Sequence, residues 1–183
     1  MKKSIPFLRH FVRVLCGLLL VASAWAETLA ADGSQLLLRT GDNQLILTLR
    51  WPVAVIKQIS GMPAMPAADT EETDAGAWLG YVKEHVQVKA GDQLLPLSIE
   101  DLFVDQPVVD TSAGETLQMV IHVDTSGHSG SGLELQYDAL VHAVPEHKIK
   151  VLELLEGQGV EHVILDSEHT HLVLDQSGRL AAD

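Results

Sequence analysis

The sequence has almost no cysteine, few basic residues and no long hydrophobic run, and each shortage excludes a class of protein. Cys16 is the single cysteine among 183 residues, and it lies in an N-terminal segment that we expect to be removed. The mature chain would then have no disulfide, no thiolate metal ligand and no cysteine nucleophile. Its stability must come from a packed core, and a chain of this length suffices for one domain.

The shortage of basic residues argues against nucleic acid and anionic lipid as partners. The chain has 12 Lys and Arg residues against 25 Asp and Glu residues, a formal net charge of −13. Four of these basic residues and none of the acidic ones lie in residues 1–26, which leaves eight against 25, or −17, for the rest. Nucleic acids and anionic membranes bind clustered Lys and Arg. The composition therefore favours an acidic exported protein.

The longest apolar run is too short to cross a bilayer and is typical of a signal peptide. It reads VLCGLLLVASAW, about a dozen residues against the ~20 that a spanning helix requires. Basic residues precede it, and Ala24-Trp25-Ala26 forms a small-x-small cleavage site. We expect a signal peptide over 1–26 and a single exported domain over 27–183, in the periplasm of a Gram-negative bacterium and without membrane insertion after cleavage. Retention of the segment as an uncleaved anchor is the alternative.

Apolar and polar residues alternate through most of the remaining chain, which indicates half-buried strands. In QLILTLRW, Leu45, Leu47, Leu49 and Trp51 share one face, and the same pattern places inward Leu117, Met119, Ile121, Val123, Leu133, Leu135 and Tyr137. Strands are predicted near 34–39, 44–51, 84–89, 93–98, 116–124, 132–138, 147–155, 160–165 and 169–175. Because short polar turns separate them, the predicted fold class is mainly β, an antiparallel β-sandwich of immunoglobulin-like type.

One segment has helical instead of strand periodicity. In DAGAWLGYVKEHVQV, Trp78, Tyr81, Val82 and His85 recur at i, i+3, i+4 and i+7. A short helix near 76–84 is therefore predicted. Packed on one end of the sandwich, it would place its aromatic pair in the core.

The segments AWLGYVKEHVQV and LELQYDALVHAVPEHKIKVLEL resemble a known family. They are similar to the exported N-terminal domains of HupE/UreJ-type membrane proteins, the hydrogenase and urease accessory group associated with nickel or cobalt. The resemblance covers about 77–175 and implies a β-rich domain in which a tyrosine-bearing strand precedes a His-containing turn, here Tyr137, His142 and His147. The family's membrane helices have no counterpart here, so the resemblance implies a freestanding relative beside a membrane partner, without metal transport.

Two histidines stand one residue apart in SEHTHLVLD and suggest a metal site. In a strand, His169 and His171 would point to the same side about 6.5–7 Å apart. His162, on the preceding strand, is the nearest third ligand in sequence. Imidazole and carboxylate donors suit zinc, copper(II) or nickel. The other interpretation is that these histidines are the outward residues of a strand whose Leu172 and Leu174 face the core.

The turn before this strand decides whether three histidines can converge. If 167–168 form a two-residue hairpin turn, His162, Asp166, His169 and His171 share one face. A three-residue turn instead places His162 on the opposite face from the pair. The sequence leaves both registers open.

No catalytic template fits the chain. GHSGSG at 127–132 has Ser131 where the G-x-S-x-G nucleophile elbow requires glycine. The expected function is therefore not enzymatic: a binding or interaction module of the periplasm, accessory to a membrane assembly or to a periplasmic protein, with no cofactor. The alternative is a periplasmic protein that binds divalent zinc, copper or nickel through the His-x-His strand.

Overall fold

Most of the strands that the alternation predicts are present, and two helices lie between the second and the third strand. The computed structural model describes residues 33–41, 43–66, 75–105, 114–128, 132–155, 158–175 and 179–181, and for 155, 158, 159, 161 and 162 it describes the backbone alone. The expected signal peptide over 1–26 lies outside these residues. In chain order the elements are β1 Ser34–Gly41, β2 Gln44–Pro52, α1 Val53–Ile56, α2 Ala75–His85, β3 Val86–Ala90, β4 Gln93–Leu94, β5 Leu97–Asp105, β6 Thr116–Asp124, β7 Leu133–Tyr137, β8 Ile149–Leu155, β9 Gln158–Leu165 and β10 His171–Leu174.

The strands form two sheets. The larger has six strands in the order β5-β6-β2-β1-β8-β9, and the smaller has four in the order β10-β7-β3-β4. Neighbouring strands are antiparallel except β1 and β8, which run parallel with Ser34 opposite Ile149. The prediction of a mainly β sandwich with a short helix is confirmed, and the parallel pair is its one departure from antiparallel order among the described strands.

The core is built from the inward faces of the strands. Every inward residue predicted on β2, β6 and β7 is buried, and burying one such side chain contributes roughly 1.5–3 kcal/mol. The two sheets are also joined by a buried hydrogen bond, in which Trp51 Nε1 donates to the Tyr137 hydroxyl at 2.8 Å. Alternation at period two therefore identified both the strands and the face on which each is packed.

Helix α2 packs its predicted inner face against this core. Trp78 and Val82 are fully buried, while Tyr81 and His85 are partly buried. The rings of Trp51, Trp78 and Tyr81 contact one another in tilted or edge-on arrangements, with centroids between 5.9 and 6.3 Å apart. The helix predicted near 76–84 is confirmed. Within the described residues, no helix has the length and apolar content that a membrane span requires.

One predicted strand is wrong, and one helix was missed. The strand predicted over 93–98 divides into β4 and β5 around Pro96, which has no backbone N–H to donate to a neighbouring strand. Strand β5 then continues to Asp105 along the edge of the larger sheet, where charged side chains such as Glu100 and Asp101 remain in solvent and blunt the edge. The short helix α1 was not predicted, and it buries Val53 and Ile56 one turn apart.

The predicted hairpin between β9 and β10 is also wrong. Strand β9 pairs with β8 in the larger sheet, whereas β10 pairs with β7 in the smaller one. The turn itself is tight, because Asp166 N–H donates to the His169 carbonyl and Asp166 Oδ1 accepts from the backbone N–H groups of Glu168 and His169. After it the chain passes to the other sheet, where Leu172 and Leu174 are buried from β10.

Candidate functional site

The three histidines predicted as metal ligands do not share a hairpin. His162 lies in β9 of the larger sheet, with its side chain outside the described residues, and His171 lies in β10 of the smaller sheet. The side chain of His169 is 72% exposed, and its Nδ1 lies 3.0 Å from Asp166 Oδ1. His171 Nε2 lies 3.7 Å from Glu134 Oε2. Each of the latter two thus faces its own carboxylate on the surface, and binding of one ion by all three stays a prediction.

A different pair of polar side chains meets where α2 enters β3 and where β7 ends. Val86 pairs with Tyr137 in the antiparallel ladder, so His85 and Asp138 are the next opposite residues. Their backbones are joined by a hydrogen bond of 3.0 Å from Asp138 N–H to the His85 carbonyl. Their side chains also meet, with His85 Nδ1 2.9 Å from Asp138 Oδ1. Strand register therefore positions this pair.

A third polar side chain, His142, reaches the pair from the turn that follows β7. One helical turn begins at Asp138, whose carbonyl accepts from His142 N–H at 3.1 Å and lies 3.1 Å from His142 Nδ1. The His142 ring stacks on the His85 ring, with centroids 4.0 Å apart and planes 11° from parallel. The ligand atoms of His85, Asp138 and His142 all lie within 4.8 Å of one another. We call these three residues the histidine-aspartate cluster.

The hydrogen bonds of the cluster define which nitrogen of each ring carries a proton. A carbonyl oxygen only accepts, so the contact with the Asp138 carbonyl requires a proton on His142 Nδ1. When this ring is neutral, its lone pair is then on Nε2. The carboxylate of Asp138 likewise accepts a hydrogen bond from His85 Nδ1–H. The rings are thus held in a defined tautomer by groups on the protein side.

Tyr81 supports the turn that carries His142. Its hydroxyl accepts a hydrogen bond from Leu140 N–H at 3.2 Å, and burial raises the pKa of Tyr81 to about 12. Leu140 has a φ of 68°, a left-handed conformation that a bulky side chain rarely adopts. The Tyr81 ring also contacts the ring of His85, with centroids 4.5 Å apart. One aromatic residue of α2 therefore fixes both the strained turn and the histidine stack.

The cluster has the donor atoms and the exposure of a binding site. Exposure increases outward through it: the side chain of His85 is 18% exposed and that of Asp138 40%, while His142 lies at the surface. Among the described residues, neither ring has a serine or threonine hydroxyl as a hydrogen-bond partner, which a catalytic triad requires. Two imidazoles and a carboxylate with their ligand atoms within 4.8 Å of one another are a combination found in ligand and metal sites.

Two other polar features are weaker candidates for a functional site than the cluster. His147 Nε2 lies 2.6 Å from Ser34 Oγ, but Ser34 is fully buried, so no substrate reaches its hydroxyl; burial lowers the pKa of His147. A cavity of about 220 Å³ beside His122 and Asp124 is smaller than the ~300 Å³ at which ligand pockets begin. His122 at its edge is paired with Glu100.

Comparison with protein families and with curated proteins assigns no family to this chain. No protein-family model matches it, and no curated protein is significantly similar to it. The resemblance of residues 77–175 to the exported domains of HupE/UreJ-type proteins therefore stays a prediction. Of the residues that carry it, Tyr137 is buried at the junction of the sheets, His142 belongs to the cluster and His147 bonds Ser34.

Sequence reasoning missed the cluster as a unit. Helical spacing placed His85 on the inner face of α2, and the resemblance singled out His142, but neither was connected with the other or with Asp138. The available signal was positional: one histidine at the end of a helix before a strand, and a Tyr-Asp pair at the end of another strand. Only the pairing of β3 with β7 makes these positions neighbours.

Proposed function

We propose that this chain is a non-catalytic binding module exported to the periplasm, and that its ligand binds at the histidine-aspartate cluster. The observation that carries the proposal is the convergence of His85, Asp138 and His142 within 4.8 Å at the surface. A surface around such a cluster is a natural place for a ligand or partner.

The support beneath the cluster fits a binding role. His85 is held from below by Tyr81, which packs against the buried Trp51 and Trp78. A site built on a helix end and a strand end is positioned more rigidly than one on a loop alone. The inner half of the cluster is thus pre-organised, while His142 at the rim remains accessible.

The charge of the chain indicates the kind of ligand. The excess of acidic over basic residues produces a negative potential that attracts cations and positively charged surfaces. A periplasmic protein, or the periplasmic face of a membrane assembly, is the partner that this module would serve. Nucleic acid is not expected.

The alternative is a divalent-metal-binding protein that uses the His-x-His pair, of which His169 lies before β10 and His171 is its first residue. It has weaker support, because His169 and His171 face separate carboxylates, Asp166 and Glu134. Neither histidine belongs to a group of three ligands among the described residues. The cluster at the end of β7 has the better geometry.

The proposal is tested in cells of a Gram-negative bacterium that express the full chain. We expect the protein in the periplasmic fraction, with a mass that corresponds to the loss of residues 1–26. A photo-crosslinking residue placed at 143, the exposed neighbour of His142, should then trap a discrete species that the same residue placed at 181 does not. Position 181 is the matched control, because Ala143 and Ala181 are both exposed alanines.

Three results would contradict the proposal. The first is retention of the unprocessed chain in the cytoplasm. The second is equal crosslinking from positions 143 and 181, which would show that the cluster is not the binding surface. The third is a reproducible hydrolase or oxidoreductase activity of the purified protein that is lost in His85→Ala.

A further inference from the structure

We propose that the histidine-aspartate cluster binds one divalent transition-metal ion of the zinc, copper(II) or nickel class, with His85, Asp138 and His142 as its protein ligands. The inference rests on the proposed function, since it names the ligand of the same site. The ligands differ from the His-x-His pair, because His169 and His171 lie outside the cluster.

The donor set selects the class of ion. Two imidazole nitrogens and one carboxylate oxygen suit zinc, copper(II) and nickel. Calcium and magnesium prefer oxygen ligands alone, and copper(I) prefers sulfur. Three protein ligands leave at least one coordination position for water or for a group of a partner, as in accessible metal sites.

The separations are close to those that an ion requires. Metal bonds of about 2.0–2.2 Å place neighbouring ligand atoms roughly 3–3.5 Å apart. The hydrogen bond already holds His85 Nδ1 and Asp138 Oδ1 2.9 Å apart, and all three ligand atoms lie within 4.8 Å of one another. An ion that binds at His85 Nδ1 replaces the proton on this nitrogen, which is released to solvent. A movement of the order of 1–2 Å by one side chain therefore completes the site.

The stacked rings identify the side chain that moves. A metal ion lies near the plane of each imidazole that binds it, so two parallel rings 4.0 Å apart cannot both bind an ion until one of them turns. His85 is 18% exposed and is held by Asp138 and by the ring of Tyr81. His142 is exposed, and its side chain is held by the Asp138 carbonyl and by ring contacts. His142 is therefore the ligand that closes on an ion bound by the other two.

The test is isothermal titration calorimetry on the full chain, expressed with its own N-terminus and without a histidine tag. Zinc, copper(II) and nickel are titrated separately, with calcium as the negative control. We expect one equivalent of at least one of the three ions to bind, and affinity to fall by about tenfold or more in His142→Ala. His171→Ala, which removes an exposed histidine outside the cluster, should bind as the wild type does.

A second measurement identifies the ligands directly. In the copper(II) complex, electron paramagnetic resonance should show nitrogen couplings from two imidazoles, and from one in His142→Ala. Asp138→Asn, which preserves the shape of the side chain, should also weaken binding, because the amide lacks the charge of the carboxylate. Circular dichroism establishes that each variant is folded, and it keeps a loss of binding distinct from a loss of structure.

The outcomes separate the metal inference from the proposed function. Unchanged affinity in His142→Ala, an equal loss in His171→Ala, or no saturable binding of any of the three ions would overturn the metal site. Several weak equivalents that no cluster substitution alters would show diffuse binding to the acidic surface, and would overturn it as well. Crosslinking specific to position 143 would survive each of these results, so the binding module would stand while its metal ligand did not.

Discussion

Replacing Tyr81 by phenylalanine should loosen the turn that carries His142. The substitution keeps the ring, which packs against Trp51 and His85, and removes only the hydroxyl oxygen. That oxygen accepts the hydrogen bond from Leu140 N–H at 3.2 Å in a partly buried position. In the variant the amide of Leu140 loses this partner while the residue remains in a left-handed conformation.

The size of the effect follows from two quantities. Leaving a buried backbone donor without its acceptor costs about 1–3 kcal/mol, and a contact of this length and partial burial belongs at the low end, about 1–1.5 kcal/mol. The left-handed conformation of Leu140 costs roughly a further 1–2 kcal/mol in both proteins. Because this strain persists in the variant with one fewer hydrogen bond to oppose it, the turn should open locally more often than the rest of the molecule.

Two measurements check this reasoning. Urea denaturation followed by circular dichroism gives the change in the free energy of unfolding, and amide hydrogen exchange gives the protection of Leu140 itself. We expect both to decrease, and the affinity for the ligand of the cluster to decrease with them. A change in unfolding free energy below about 0.3 kcal/mol, together with unaltered protection at Leu140, would refute the role assigned to the Tyr81 hydroxyl.

Four further substitutions test the core, the pH dependence and the last described strand. Tyr137→Phe removes the acceptor of the fully buried Trp51 Nε1–H and should cost about 1–3 kcal/mol, at least as much as the loss at Tyr81; a smaller cost in urea denaturation would contradict the inter-sheet bond. Burial lowers the pKa of His147 below its ordinary 6.5, so the unfolded state binds the proton more readily than the folded state. The free energy of unfolding should therefore fall as the pH decreases through about 6.5. The His147→Gln variant should lack this fall in unfolding curves measured between about pH 8 and 5. Leu174→Ala, at a fully buried position, should lower the free energy of unfolding by about 2–5 kcal/mol. Val173→Ala, at the neighbouring position that is 47% exposed, should change it by less than about 0.5 kcal/mol. Similar losses in the two variants would contradict the assignment of Leu174 to the buried face of β10 and of Val173 to the exposed face.

The fold was predictable because buried residues recur at a regular spacing in the strands and in α2. Alternating residues of β2 and β6 pack on one side of a sheet, and their hydrophobicity records that directly. The same applies to α2, whose Trp78 and Val82 repeat at helical spacing. Pro96 and the acidic β5 were misjudged because a strand at the edge of a sheet needs fewer apolar residues and tolerates charge.

Pairing between distant strands is what the sequence does not reveal. Asp166 and its neighbours do form the tight turn that the polar residues predict, yet the turn leads to the other sheet instead of back along β9. His85 and Asp138 become neighbours through a ladder between strands far apart in the chain. The position of His142 further depends on a left-handed leucine, and leucine carries no sequence signal for that conformation.

The parallel pairing of β1 with β8 imposes an order on folding. Strand β1 lies in the interior of the larger sheet, and Ser34 to Leu38 pair with Ile149 to Glu153, more than a hundred residues later. The hairpins β1-β2 and β8-β9 can each form locally, but the contact between them requires closure of a long loop and is expected to be slow. Until β8 arrives, the apolar edge of β1 is unpaired and open to association with other chains. A chain that emerges N-terminus first therefore holds this edge exposed until nearly the last strands have followed.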